Sequence, residues 1–232
     1  MQRLPNAYRA VVLAASGAIG SALVAALKAD VRCAQVLAYS RSSVPGFDLE
    51  DEARIASCAA HAAGQGPLHL VLVASGALYI DGHGPEKRLG ALDPQRLARA
   101  FAVNAIGPAL LLKHFVPLLA MDLPVVFAAL SARVGSVEDN RTGGWYGYRA
   151  SKAALNMLLQ TAAIEAARTR PLAVFAALQP GTVASRLSGP FVPAADALTP
   201  AASAEGLLAA LDALRPTGRA QFVDYRGGTI PW

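Results

Sequence analysis

Ala10-Val11-Val12-Leu13-Ala14-Ala15-Ser16-Gly17-Ala18-Ile19-Gly20 decides the fold. Its first five residues, Ala10 to Ala14, form an apolar run short enough for a buried strand. Ser16-Gly17 and Gly20-Ser21 then interrupt the hydrophobic text, and Ala18 to Lys28 carries helix-forming residues. Arg3 and Arg9 precede the segment, so its outline also resembles a signal sequence. A signal core is continuous, however, whereas a strand, a tight turn and a helix need the two breaks where they stand. The stretch therefore reads as the first strand–turn–helix unit of an α/β protein, with the strand at Ala10–Ala14.

The same alternation continues outward. Cys33–Tyr39, Leu68–Ala74, Val125–Leu130, Ala173–Leu178 and Ala220–Val223 are apolar runs of strand length. Asp51–Ala63, a helix opened by Asp93-Pro94 and broken near Gly107-Pro108, a helix from Tyr148 to before Pro171, and Ser203–Leu214 lie between them. Near-continuous apolar strands separated by helices predict a parallel sheet covered on both faces. The 232 residues suit one domain, 1–232, with no repeat and no linker.

Composition narrows the function. Hydrophobic residues are 54% and charged residues 16%, which excludes a disordered chain. The net charge of +5 is scattered, so no nucleic-acid groove is expected. No uninterrupted run reaches membrane-spanning length. Cys33 and Cys58 form no CxxC pair and read as reduced thiols, which predicts a cytoplasmic protein. His61, His69, His83 and His114 have no metal spacing. His69 and His114 read as structural, while His83 lies in the Gly82-His83-Gly84-Pro85 loop, where ligands are met.

The chemistry is carried by Tyr148-Arg149-Ala150-Ser151-Lys152. On a helix, residues four apart share a face. An ammonium there favours the phenolate and lowers the phenol's pKa. A phenol so tuned can protonate a carbonyl oxygen as hydride reaches the carbon. Taken alone, the pair also fits an exposed helix face.

With the following Ala153-Ala154-Leu155-Asn156, this segment resembles the short-chain dehydrogenase/reductase family. Ser131-Ala132-Arg133-Val134-Gly135-Ser136, Gly143-Gly144-Trp145-Tyr146, Gly84-Pro85-Glu86-Lys87 and Ile230-Pro231-Trp232 resemble its C-factor branch, related to the sniffer carbonyl reductases. The resemblance spans nearly the whole chain. It implies a doubly wound Rossmann-type sheet of order 3-2-1-4-5-6-7, although Val44-Pro45-Gly46-Phe47 leaves little room for the third strand. It implies hydride transfer between NADP(H) and a small aldehyde, ketone or alcohol, and a homo-oligomer, dimer or tetramer.

The resemblance assigns roles residue by residue. Tyr148 is the acid, and Lys152 tunes it and binds the cofactor ribose. Asn104, in the helix before the fifth strand, holds a water that feeds protons to Lys152; an ordinary polar residue is the other reading. The family serine that bonds the substrate oxygen falls on Ala132; its neighbour Ser131, a candidate in its place, points to the opposite face by strand alternation, and Ser136, beyond a glycine turn, can swing inward. In the cofactor turn, Ala14 and Ala18 replace two glycines, Gly20 persists, and Ser16 and Ile19 meet the pyrophosphate; a plain turn is the alternative. Arg41 stands where an acid would bind a ribose hydroxyl and suits a 2′-phosphate, favouring NADP over NAD, unless it is merely a surface arginine. Asp48 is an adenine contact or an N-cap. Ala74 and Gly76 offer main chain to the cofactor. Pro180, Gly181 and Val183 stand beside the nicotinamide amide, or form a simple strand-ending turn. Pro190, Pro193 and Pro200 shorten the segment after Gly181, which predicts an open site. The three alanines also fit a degenerate reductase acting as a regulatory or signalling protein.

Overall fold

The opening stretch forms strand β1 (Tyr8–Leu13), a turn, and helix α1 (Ala18–Ala29). These belong to a computed structural model that describes residues 1–185 and 193–232. Strands β2 (Cys33–Tyr39), β3 (Leu70–Val73), β4 (Val125–Leu130), β5 (Ala173–Gln179) and β6 (Ala220–Asp224) complete one sheet of order β2-β1-β3-β4-β5-β6. Every neighbouring pair is parallel.

Both faces are covered, as apolar strands require. Val11, Val71, Phe127 and Phe175 point to one side. There they meet α2 (Glu52–Ala63), α4 (Gly107–Phe115) and α5 (Tyr146–Ala166) through Ile55, Phe115, Leu155 and Leu159. Phe127 and Phe175 stack with centroids 5.8 Å apart. Val12, Leu72, Val126 and Val174 point to the other side, against Leu23 and Leu27 of α1 and Leu207 and Leu211 of α6 (Pro200–Ala213).

The expected seven-strand order loses its outermost member. Between β2 and α2 the chain makes only turns and extended coil, and the remaining six strands keep the predicted sequence. The reason is local. Ser43 Oγ accepts from Ser40 N–H at 3.0 Å and donates to the Ser40 carbonyl, closing the turn directly after β2. Asp51 then caps α2, accepting from Ala53 and Arg54 N–H at 3.0 and 3.2 Å.

Asp93 caps α3 (Pro94–Phe101) through Arg96 N–H at 2.9 Å, with Pro94 in the first turn. The break expected near Gly107-Pro108 is a π-helical turn, Ala102–Ile106, that joins α3 to α4. The whole run Pro94–Leu118 is long and apolar enough to cross a bilayer. Its apolar residues Leu111, Leu112 and Phe115 nevertheless belong to the core over the sheet, so it reads as a core helix. Pro190 lies outside the described residues.

Candidate active site

The carboxyl ends of the strands gather the residues singled out above. Tyr148 lies in the first turn of α5, and Lys152 one turn on. The Lys152 amine is 6.0 Å from the centre of the Tyr148 ring. It donates to the Leu130 carbonyl at the end of β4, at 2.7 Å. The lysine is buried, and two glycines make room for it. A Cβ on Gly76 would stand 3.1 Å from its Nζ, and one on Gly135 only 2.8 Å from its Cβ.

Burial sets both protonation states. It pushes the Tyr148 phenol up to about 12 and pulls the Lys152 amine down to about 7. The sequence argument expects the ammonium to lower the phenol. In the structure desolvation outweighs it, because the amine is directed at Leu130 and not at the phenol oxygen. Tyr148 is therefore a protonated acid at neutral pH.

Asn104 sits in the π-helical turn, fully buried. Its carboxamide pairs with Ala77 twice, accepting from Ala77 N–H and donating to the Ala77 carbonyl, both at 2.9 Å. It also donates to Ser151 Oγ at 3.2 Å, which in turn donates to the Tyr148 carbonyl at 3.0 Å. Both amide hydrogens are thus committed to the protein, while Oδ1, which accepts one bond, keeps a second lone pair. The carboxamide fixes the turn at Gly76-Ala77 beside Lys152 and ties it to α5. Ser151 was not singled out in the sequence, since a serine one residue before a lysine carries no signal by itself.

Ser131 faces away from the site, as alternation along the strand predicts. Its N–H continues the sheet to the Leu178 carbonyl at 2.8 Å. Strand alternation then sends its side chain under α5, where Oγ donates to Asn156 Oδ1 at 2.7 Å. Asn156 is one turn beyond Lys152, so the hydroxyl is not presented to Tyr148. Ser136 is also committed, bonding the Trp232 carbonyl and Asp139 N–H. Ala132 begins the next turn and brings no hydroxyl.

The residues assigned to a dinucleotide line the opposite half of the same edge. Ala14 has φ 62°, the left-handed conformation that the replaced glycine would adopt freely and that costs alanine about 1 kcal/mol. Gly20 is irreplaceable, because a Cβ there would lie 2.5 Å from the Ala14 carbonyl oxygen. Ser16 and Gly17 are exposed before α1, whose first-turn N–H groups have no partner within the helix. Ile19 is half-buried against the core. Ser75 Oγ, between Ala74 and Gly76, is buried with no hydrogen-bond partner. An open helix N-terminus and an orphaned hydroxyl at the strand ends fit a phosphate-bearing ligand.

Arg41 is exposed at the end of β2, and its guanidinium has no hydrogen bond or ion pair among the described residues. Asp48 is not the cap of α2. Its carboxylate accepts from Glu50 N–H at 3.1 Å in a local turn, and Asp51 takes the capping position. Gly181 has φ 79°, and a Cβ there would meet Leu198 and Tyr225 at 2.6 and 2.9 Å. Pro180 accepts from Ser203 Oγ at 2.7 Å. Val183 is buried, and the main chain around it pairs with Leu198.

A cavity of about 620 Å³ opens beside Tyr148, lined also by Ala77, Leu78, His83, Glu86 and Arg96. His83 closes a tight turn by exchanging main-chain bonds with Ile80 at 2.9 and 3.0 Å. The other histidines have structural partners: His69 Nδ1 accepts from Arg9 N–H, His114 meets Glu52, and His61 meets Tyr39. No cluster of His, Cys, Asp or Glu suited to a metal exists among the described residues.

A family model described as enoyl-(acyl carrier protein) reductase matches residues 9–209. C-signal of Myxococcus xanthus is 37% identical over 146 residues, 62% of this chain and 83% of that protein. The 1-hydroxy-2-glutathionyl-2-methyl-3-butene dehydrogenase of Rhodococcus sp. is 30% identical over 189 residues, 81% of this chain and 79% of its own. Among solved structures, NADPH-bound carbonyl reductase from chicken fatty liver superposes with a TM-score of 0.85. It is 21% identical and covers 98% of this chain and 95% of its own. With a parallel sheet wound as that family winds it, the chain belongs to the short-chain dehydrogenase/reductase family, on the branch that includes C-signal, and is an oxidoreductase of that type.

Proposed function

We propose that the protein is an NADPH-dependent reductase of small aldehydes and ketones, with Tyr148 as general acid. One observation carries this reading: a half-buried, protonated phenol and a buried amine share one face of α5 at the carboxyl end of the sheet. Bound nicotinamide supplies the hydride. Tyr148 delivers its proton to the carbonyl oxygen as charge develops there. Lys152, its amine 6.0 Å from the centre of the Tyr148 ring, stabilises the phenolate that remains through its charge rather than through a direct hydrogen bond. Asn104 holds the Gly76-Ala77 turn against both. The Rhodococcus relative acts on an alcohol bearing a glutathionyl group, and the chicken structure holds NADPH, which supports this chemistry.

Arg41 is the proposed 2′-phosphate site, and Asp48, Pro180, Gly181 and Val183 complete the cofactor edge. Exposed Ile106, Met157 and Ile164 on the outer helices suit a homo-oligomer. The two free cysteines fit a reducing cytoplasm.

The test is NADPH binding by fluorescence, followed by NADPH oxidation with a panel of carbonyl compounds. Turnover of at least one aldehyde or ketone is the expected result. No binding at about 1 mM NADPH, the top of the ordinary KM range, would sink the reading. Binding without turnover would favour the second reading, a signalling protein on a reductase fold. That reading has its own observation, the engaged Ser131 and the hydroxyl-free Ala132, which leave the substrate oxygen without a serine donor. A separate expectation concerns selectivity. Arg41→Ala weakens NADPH about tenfold or more and leaves NADH nearly unchanged. Equal losses for the two would remove the phosphate role.

A further inference from the structure

The helix that carries Tyr148 and Lys152 has no cap of its own. Trp145 occupies the N-cap position in the left-handed conformation, φ 53° and ψ 42°, and its side chain does not cap. Gly143 and Gly144 before it are also left-handed, at φ 62° and 66°. Three such residues in succession turn the chain sharply into α5, and the third is a bulky residue for which the conformation is costly. Something distant must hold this entry.

Glu86 does so. Its carbonyl accepts from Trp145 N–H. Its carboxylate accepts from Gly147 N–H at 2.9 Å, in the first turn and one residue before Tyr148. Glu86 is only 8% exposed and takes part in no ion pair among the described residues. A buried carboxylate without a cation needs such a partner. The positive end of a 21-residue helix supplies the rest of the compensation. The fit is close. A Cβ on Gly147 would stand 3.0 Å from Glu86 Oε1 and 3.2 Å from Leu97 Cδ2. The Trp145 ring meets Tyr148 edge-on, with centroids 6.2 Å apart, so the strained entry abuts the phenol itself.

Glu86 belongs to the loop that lines the cavity beside Tyr148. We propose that Glu86 is a positioning residue. It caps α5 from this loop, holds the first turn in place, and thereby sets where the Tyr148 phenol stands relative to a substrate in the cavity. The inference rests on the reductase reading for its catalytic consequence, but the capping contact is tested without it.

The experiment compares Glu86→Ala, Glu86→Gln, Gly147→Ala and the Glu86→Ala/Gly147→Ala double variant. The first readout is kcat and KM with saturating NADPH and 4-nitrobenzaldehyde, well below each melting temperature. The second is NADPH affinity. The third is amide hydrogen exchange in the first turn of α5. Glu86→Ala is expected to lose about 10- to 100-fold in kcat, the cost of a misplaced acid, with NADPH affinity kept. Exchange should quicken in the first turn and not further along α5. Glu86→Gln retains an acceptor oxygen and should recover most of the loss, which a general fall in stability would not produce.

Gly147→Ala pushes the intact carboxylate aside and should mimic Glu86→Ala. In the double variant the second change should add little, because the carboxylate it displaces is gone. An unchanged kcat in Glu86→Ala, or equal losses in Glu86→Ala and Glu86→Gln, would overturn the proposal. If Glu86→Ala does not fold, Gly147→Ala decides by the same readouts. If the wild type turns over no carbonyl, the reductase reading fails by itself. Exchange then decides the cap: slow in Glu86→Gln and fast in Glu86→Ala upholds it, and no difference refutes it.

Discussion

Tyr148→Phe is expected to lower NADPH-dependent carbonyl reduction by about 10³-fold or more, in line with the loss of a general acid, while NADPH binds as before. The substitution removes one oxygen and keeps the ring that meets Trp145 edge-on. No hydrogen bond from the phenol oxygen supports the fold among the described residues, so the change should not unfold the protein. The loss should appear in kcat and in kcat/KM together, the signature of an interaction made in the transition state. Steady-state rates on any active aldehyde, with fluorescence titration of NADPH, check it. A variant that kept its rate would place the acid elsewhere. Ser131 and Ser136, the other hydroxyls that the sequence offered for this place, are both engaged.

The second large effect is on stability and its dependence on pH, through Lys152. Burial pulls its folded-state pKa down to about 7, from 10.5 in an exposed lysine. Between those values the unfolded chain binds the proton and the folded chain gives it up. Stability therefore rises with pH across this window, and the penalty is fully present below it. Lys152→Met removes the titration and should flatten the rise. The variant should also be more stable than the wild type at the low end of the window, by a few kcal/mol less whatever the Leu130 carbonyl contributes in holding the ammonium. Urea melts at several pH values between 7 and 9 give the comparison. Above that range the thiols of half-buried Cys33 and buried Cys58 and the phenols of Tyr8 and Tyr39 are all pushed up by desolvation, and they pull stability the other way. Parallel pH curves for variant and wild type would mean that the amine is not desolvated as described. The same variant should lose turnover, because it removes the amine that stands 6.0 Å from the centre of the Tyr148 ring.

Much of this was legible in the chain because it is local. Apolar runs of strand length fell where β2 and β4 are, to the residue: β4 is fully buried and apolar throughout, and β2, the half-exposed edge strand, is interrupted only by Gln35. Asp93-Pro94 marked a helix start because both residues act within one turn. Tyr148 and Lys152 were visible because a helix converts a spacing of four into a shared face. What escaped depends on distance or on depth. Glu86 reaches Gly147 across sixty-one positions, and no periodicity records such a contact. The raised phenol and the lowered amine follow from how much protein surrounds them, which spacing does not carry. Ser131 was placed by alternation, but its partner Asn156 comes from another element. The missing strand was hinted at by Val44-Pro45-Gly46-Phe47, yet the serine-knit turn that replaces it required the fold.

That missing strand changes how a dinucleotide would be held. A full sheet offers a wall at its adenine end; here β2 is the edge, followed by a short turn that carries Arg41 and the coil that carries Asp48. Contact and burial would secure the nicotinamide half, while the charge of Arg41 would carry most of the hold on the other. Charge acts over a reach of about 8 Å at physiological ionic strength and shrinks as salt is added. In a cofactor bound as proposed, the adenine end would be the first to let go, and the concentration of small ions would set how quickly NADP⁺ leaves after each turnover.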